Sequence, residues 1–289
     1  MSLTIGAALH SFRVDKNMSL KQVAAGIISS SFLSKLENGK TEISFSHLLR
    51  IIDRLNITFE ELLARMNDQM GIFGMKSGLK EISTALYANN DKLLEDLETR
   101  YHRKWIESKE IYFQFLEIIS RGYLRHLKDT LLTKKDAETI RIYLYSIQSW
   151  GEFELLVFGN CVIVLPTKTL VNLTNLLSLR TDKFQTVNRS LVIGTLLNAA
   201  NILIERGEQI LPNKIFMRIN SLHISENDFL LRQQFLMLQG LYEITLGHVA
   251  SGKKTAEKAI EIARVLGAKE FAVNDSATLK EYLLKYSKK

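Results

Sequence analysis

A single cysteine, Cys161, leaves no partner for an intramolecular disulfide, and a reducing cytosol is the default compartment for such a chain. Prolines are almost as scarce. Pro166 and Pro212 are the only two, so helices can run uninterrupted over most of the 289 residues. Long apolar runs are missing as well. The most hydrophobic stretch, LLVFGNCVIVL, covers only residues 155–165. Spanning a bilayer takes about 20 apolar residues, so this segment reads as a buried helix and no membrane association through it is expected. No basic segment followed by an apolar core opens the chain, so no secretory signal is expected. The histidines His10, His47, His102, His126, His223 and His248 are scattered, none at metal-ligand spacing to a second His or Cys. Neither a phosphate-binding glycine loop, nor a Gly-x-Ser-x-Gly turn, nor a paired-carboxylate motif stands out. Cys161 lies inside the apolar run, which marks a buried inert thiol rather than a nucleophile. Catalysis is therefore not expected, and neither is a cofactor or a metal.

What is present is the balance of a soluble globular protein: 46% hydrophobic and 24% charged residues, in a length sufficient for about two domains. A net charge of +7 favours an anionic partner such as nucleic acid or a membrane surface. No segment sustains the two-residue alternation of a strand, whereas apolar residues recur throughout at helical spacing. The fold class expected is all-α.

Residues 1–66 read as five short helices: Leu3 to Val14; one opening at Ser19, with Gln22 at capping-box spacing; one following Ser29; Ser46 to Leu55; and one opening at Thr58, with Glu61 at the same spacing. Three glycines in NDQMGIFGMKSG place an interdomain linker at 67–78. From 79 to 289, breaks near 88–91, 133–136, 166–168, 181–184, 205–208 and 246–252 divide the chain into nine or ten helices. Their pairing at roughly forty residues suggests a helical-repeat array.

The third helix, within SSSFLSKLENGKTEIS, carries the first functional signal. At about 100° per residue, Ser30, Ser34, Ser31 and Lys35 share one arc, while Phe32, Leu36 and Leu33 share the other. Ser29 is a suitable N-cap and Gly39 a suitable residue just past the end. Short hydroxyls and one lysine permit close approach to base edges or phosphates, and the helix N-terminus adds free N–H groups. An ordinary solvated helix face has the same pattern. The surroundings add weight to the first reading: small Ala24 and Ala25 in the second helix, Arg13 in the first and Glu37 in the third. Together these resemble the helix-turn-helix of phage-repressor and Xre-type regulators, whose helix-one arginine pairs with the glutamate before the Asn-Gly stop. The resemblance implies that Ser30, Ser31 and Lys35 read bases and that Asn38 and Lys40 contact the backbone, with Ser34 and Arg13 completing the DNA-binding set. Two departures are visible: Leu20 stands where many such regulators have glutamine, and the turn before Ser29 is AGIIS rather than one with glycine just ahead of the serine.

In the second domain, the segment from Asn188 to Glu205 is apolar over most of its circumference, with a narrow stripe of Gly194, Thr195, Asn198, Asn201 and Glu205. Asparagine offers both a donor and an acceptor, which suits gripping a peptide backbone. A solvated outer stripe, or a polar contact between helices, gives the same pattern. From Asp136 on, Arg141, Tyr145 and Gln148 oppose Ile140, Leu144 and Ile147, with the same alternatives; an arginine there could meet a ligand carboxylate. Trp150, Glu154 and Phe158 at one-turn spacing read as packing anchors, and Gly240 as a close helix crossing. With LSKLENGKTEIS, RLNITFEELL and LQGLYEI in this order, the whole chain resembles the Rgg/GadR/MutR-like regulators of Gram-positive bacteria. That resemblance implies a cytoplasmic homodimer that binds double-stranded DNA and senses a short hydrophobic signalling peptide through a TPR-like C-terminal array. Asn198, Asn201, Arg141 and Tyr145 are the ligand-binding candidates. A C-terminal domain serving only dimerisation or a protein partner, and an enzyme fused to a DNA-binding module, are the competing readings.

Overall fold

A computed structural model describes residues 4–66, 71–180 and 189–286, which form α-helices and no strand among the described residues. The chain divides into two compact units, Met1–Ser77 and Gly78–Lys289.

The first unit contains α1 (Ile5–Asp15), α2 (Leu20–Ala24), α3 (Ser30–Glu37), α4 (Phe45–Arg54) and α5 (Phe59–Met66). Each start is set by a hydroxyl. The side chains of Thr4, Ser19, Ser29 and Ser44 accept from the backbone N–H three residues on. Thr58 does the same for α5, and Glu61 answers by accepting from the Thr58 N–H. These caps satisfy N–H groups that a helix start otherwise leaves unpaired. They also explain why α1 begins at Ile5 rather than Leu3 and α4 at Phe45 rather than Ser46. Leu9, Phe12, Leu33, Leu36, Ile51 and Leu55 fill the core beneath them. The closest approach is between α1 and α3: a methyl group built on Gly6 would lie 1.8 Å from the Leu36 carbonyl oxygen. Only glycine permits that contact.

Of the expected linker at 67–78, residues 67–70 lie outside the described residues, and 71–78 are the beginning of α6 (Gly71–Tyr87). The glycines there sit in a helix instead of a loop. The second unit continues with α7 (Asp91–Ser108), α8 (Ile111–His126), α9 (Lys134–Ser146), α10 (Glu152–Cys161) and α11 (Thr167–Arg180). It ends with α12 (Arg189–Glu205), α13 (Leu211–Leu222), α14 (Phe229–Thr245), α15 (Val249–Val265) and α16 (Lys269–Tyr286). The expected break at 181–184 lies outside the described residues. An additional break separates α7 from α8, where Lys109 adopts φ 61°, a left-handed conformation for which lysine carries no sequence signal.

Adjacent helices pair, and every second helix also touches the next but one: α8 on α10, α10 on α12, α12 on α14 and α14 on α16. The even-numbered helices from α8 to α16 thus form one continuous layer, as a helical-repeat array requires. Trp150 and Phe158 are fully buried anchors at its centre. The Trp150 indole N–H donates to the Leu144 carbonyl at 3.0 Å. Glu154 is buried with them and accepts from the Tyr143 hydroxyl and the Gly151 N–H, both at 2.8 Å. Arg121 joins α7, α8 and α9 by donating to Glu98 and Asp136 at 2.7 Å and to Glu117. The segment 155–165 is buried as expected, but it leaves the helix after Cys161 and turns ahead of Pro166. Burial pushes the Cys161 thiol well above its ordinary value, so it stays protonated and inert. Between α14 and α15 the backbones touch. A methyl group on Gly240 would lie 2.7 Å from the Gly252 carbonyl oxygen, and one on Gly252 would lie 2.5 Å from that of Gly240.

Candidate functional site

In the first unit, α2 and α3 meet through a turn in which Gly26 adopts φ 71°, so the left-handed position falls two residues before Ile28 instead of next to the serine. Leu20, at the departure from the usual glutamine, packs against the core. Gln22 accepts from the Ser19 N–H at 2.7 Å and is occupied as a cap. From α4, Arg54 donates to the Gln22 carbonyl at 2.8 Å and Arg50 to the Gly26 carbonyl at 2.7 Å, clamping the turn from outside. On α3, Leu33 and Leu36 are buried, Ser31 and Lys35 are exposed, and Ser30 and Ser34 are half-exposed. Asn38 and Lys40 extend the exposed edge past the helix end, where Asn38 Nδ2 donates to the Ser34 carbonyl at 2.7 Å and Gly39 takes φ 68°. The surface so made is short, polar and basic.

Arg13 is placed differently from the rest of that set. Its Nε donates to Glu37 Oε1 and a terminal nitrogen to Oε2, both at 2.7 Å, while the other terminal nitrogen donates to the Met18 carbonyl at 2.9 Å. The Arg13 side chain is 13% exposed and that of Glu37 5%. The guanidinium is consumed inside the unit, so Arg13 positions α3 rather than presenting a free cation to DNA. His10 Nδ1 lies 2.7 Å from Glu37 Oε2. Burial alone would push the Glu37 carboxyl up, but hydrogen bonds from Arg13 and His10 outweigh it and hold the group below the ordinary carboxylate range. The hydrogen bond to Glu37 correspondingly raises Arg13.

In the second unit, a groove of about 260 Å³ opens between α12, α14 and α16 of the even-numbered layer. Asn198 and Asn201 line it from α12, at one-turn spacing, followed by Glu205. Leu197, Met237, Leu238, Leu241 and Phe271 make its apolar surface. Gln234, Asn274, Asp275 and Thr278 add polar groups that sequence reasoning did not single out. The signal for the α16 wall was available: Phe271, Asn274, Asp275 and Thr278 fall at helical spacing on one face. Burial raises the carboxyls of Glu205 and Asp275 above their ordinary values.

Arg141 and Tyr145 are not brought to this groove. Arg141 lies on α9, donates to Glu138 one turn away at 2.7 Å, and stacks over the Tyr145 ring at 5.4 Å. Gln148, expected on the same stripe, lies beyond the end of α9, because the chain turns extended at Ile147 to bring Trp150 beneath Leu144. An arginine closing on a ligand carboxylate is therefore not a feature of this groove. No group of three or more His, Cys, Asp or Glu able to hold a metal ion occurs among the described residues. No described helix is long and apolar enough to cross a membrane.

Known proteins match at both levels. The C-terminal domain of the HTH-type transcriptional regulator Rgg matches residues 92–276, and a helix-turn-helix family matches 9–62. The SHP pheromone receptor Rgg2 of Streptococcus dysgalactiae is 24% identical, with a TM-score of 0.77 over 96% of this chain and 99% of that one. A transcriptional regulator from Listeria monocytogenes EGD-e is 20% identical, with a TM-score of 0.81 over 97% of both chains. A chain from a bacterial peptide pheromone/receptor complex is 18% identical, with a TM-score of 0.71 over 98% of both. At these identities the solved structures bear on the fold alone. The Rgg match spans more than half of the sequence and follows a helix-turn-helix, and on that basis the chain belongs to the Rgg family of HTH-type transcriptional regulators.

Proposed function

We propose that this regulator reads DNA with the exposed edge of α3 and that the groove between α12, α14 and α16 takes a short, hydrophobic signalling peptide. The observation that carries the second half is the composition of the groove. Amides on α12 face an apolar surface on α14 in a layer that continues through the array. An extended peptide leaves its own N–H and C=O groups unpaired unless the protein supplies partners, and an asparagine can bond to both groups of one residue. Two of the similar structures are, by name, a pheromone receptor and a pheromone/receptor complex. The division of labour proposed is DNA binding in 1–66, a connection through 67–78, and regulation and dimerisation in 79–289, with the protein acting in the cytoplasm. Exposed Val273 and Leu284, on one side of α16, support a self-association role for the second unit.

Asn198→Ala is expected to weaken peptide binding about tenfold, since an unpartnered peptide amide in a groove costs roughly 1–3 kcal/mol. Affinity for DNA without peptide should be unchanged. Calorimetry with a peptide encoded beside the regulator's genomic sites reads this directly, and undiminished affinity would remove the asparagine from the site.

On DNA, Lys35→Ala should lower affinity for the specific site by about 1–3 kcal/mol and relax selectivity at one position. Lys40→Ala should weaken all sequences alike and lower the salt slope by about one. A helix this short covers half of a two-fold site, so a titration should reach two chains per site. Gel shifts at several salt concentrations check all three results; unchanged affinity in both variants would place the contact elsewhere.

A further inference from the structure

The groove is unbalanced in charge. Among the described residues, two carboxylate side chains line it, Glu205 from α12 and Asp275 from α16, and no lysine, arginine or histidine does. Two cations act on Glu205 from a distance, Arg206 and Lys285, but neither lines the groove or hydrogen-bonds the carboxylate. Arg206 donates to the carbonyls of Leu165 at 2.7 Å and Ile163 at 3.0 Å and to the Thr167 hydroxyl at 3.3 Å. Lys285 lies over the Tyr286 ring at 5.3 Å. Glu281, also within electrostatic range of Glu205, adds further negative charge.

Each carboxylate is held in place by an amide. Asn201 Nδ2 donates to Glu205 Oε1 at 3.3 Å, one turn along the stripe that faces the groove. Gln233, 3% exposed and outside the groove lining, donates to Asp275 Oδ2 at 2.7 Å, while its own Oε1 is buried without a partner. The same Gln233 nitrogen donates to the Ala259 carbonyl at 3.3 Å, so the amide is anchored to α15 and fixes the Asp275 carboxylate at the edge of the groove. The apolar surface of Met237, Leu238 and Leu241 between the two carboxylates lowers the local polarisability, so a charge arriving there is screened less than at the open surface.

We propose that the groove selects a cationic ligand: a short apolar peptide whose free α-ammonium or basic side chain is held by Glu205 and Asp275. The inference rests on the peptide reading of the groove and specifies it further. A peptide carrying its charge as aspartate or glutamate would meet two carboxylates and, among the described lining residues, no basic side chain. A peptide with an ammonium group supplies the missing charge, and each carboxylate offers it a charge-assisted hydrogen bond.

The test uses the full-length chain and a synthetic octapeptide pool. Its positions are drawn from Leu, Ile, Val, Phe, Ser, Asp and Lys, and half of the pool is N-acetylated. Peptides retained on the immobilised protein are sequenced by mass spectrometry. The wild-type chain is expected to favour Lys-bearing or free-amine peptides over acetylated Asp-bearing ones by about tenfold or more, the worth of a hydrogen bond to a charged group. The Glu205→Gln/Asp275→Asn variant should lose that preference while still retaining apolar peptides. Equal or greater retention of Asp-bearing peptides by the wild-type chain, or a cationic preference that survives in the double variant, would overturn the inference and leave the peptide reading standing. Retention of no octapeptide at all would overturn both. If the double variant fails to match the wild-type circular dichroism, Glu205→Gln alone and the acetylated against free-amine comparison on the wild-type chain decide the matter.

Discussion

Gly6→Ala is expected to destabilise the helix-turn-helix unit by roughly 3 kcal/mol, the upper end of the range for overpacking a core, and to abolish DNA binding. The added methyl group would have to occupy the space of the Leu36 carbonyl oxygen, 1.8 Å away, and it would also lie 3.2 Å from the Glu37 Cα. Both are backbone atoms of α3, the helix proposed to read DNA, so no side chain can swing aside. Either α1 or α3 must move, and with it the surface formed by Ser31 and Lys35. Gly39→Ala is a useful contrast. Nothing lies within 4 Å of its Cβ position, but the residue has φ 68°, so the expected cost is only the left-handed strain of about 1–2 kcal/mol. Thermal unfolding of the full chain should show the transition of the first unit lowered far more by Gly6→Ala than by Gly39→Ala, with that of the second unit unmoved. Equal shifts would mean that α1 and α3 do not require this contact.

Glu37→Ala is expected to cost roughly 3 kcal/mol, well beyond a surface ion pair, because it strands a nearly buried guanidinium that makes three hydrogen bonds in the wild-type chain. Arg13→Ala should cost a similar amount. The double variant should cost clearly less than the two single variants added together, since the second substitution removes the charge that the first leaves unpaired. A cycle without coupling would show that the two groups act independently. The pair also sets a pH dependence. Glu37 titrates lower in the folded chain than in the unfolded one, so it contributes stability that is fully present above the unfolded carboxylate value near ~4.3. That contribution is lost as the pH falls through the lower folded value. The first unit of the wild-type chain should therefore become less stable on acidification through this range, and Glu37→Ala should flatten that dependence.

Much of this architecture could be read from local chemistry. Ser19 with Gln22, Ser29 with Gly39, and Thr58 with Glu61 are start and stop signals whose meaning does not depend on the rest of the chain, and the helices follow them to within a residue or two. The stripe of Asn198 and Asn201 was likewise visible, because a mostly apolar helix makes its few polar positions conspicuous. What periodicity does not carry is which helix lies opposite. Arg141 and Tyr145 form an equally regular stripe, yet α9 belongs to the odd-numbered helices, and Arg141 pairs with Glu138 of its own helix instead of lining the groove. Gly6 was silent for a related reason. A lone glycine in a helical pattern is ambiguous until the neighbouring backbone is in place. The helix end at Ser146 was also hidden, since it is imposed by Trp150 packing back under Leu144 and not by a glycine or proline at the break.

The contact between Gly240 and Gly252 has a mechanical consequence for the groove. Where two helices meet through side chains, they can slide by small rotamer adjustments. Here the open face of each glycine meets the other's carbonyl oxygen, and a one-residue slip would drive Gln239 or Leu241 into the backbone of α15. The joint between α14 and α15 is therefore keyed, with a single register, and the two helices move as one body. Of the three walls of the groove, the one bearing Met237, Leu238 and Leu241 is the anvil. If a peptide seats against it, as proposed, any rearrangement is expected in α12 and α16 rather than as a slip between α14 and α15. On that reading the first measurable change on peptide binding is expected in the angle of those two helices, with the Gly240–Gly252 spacing unchanged.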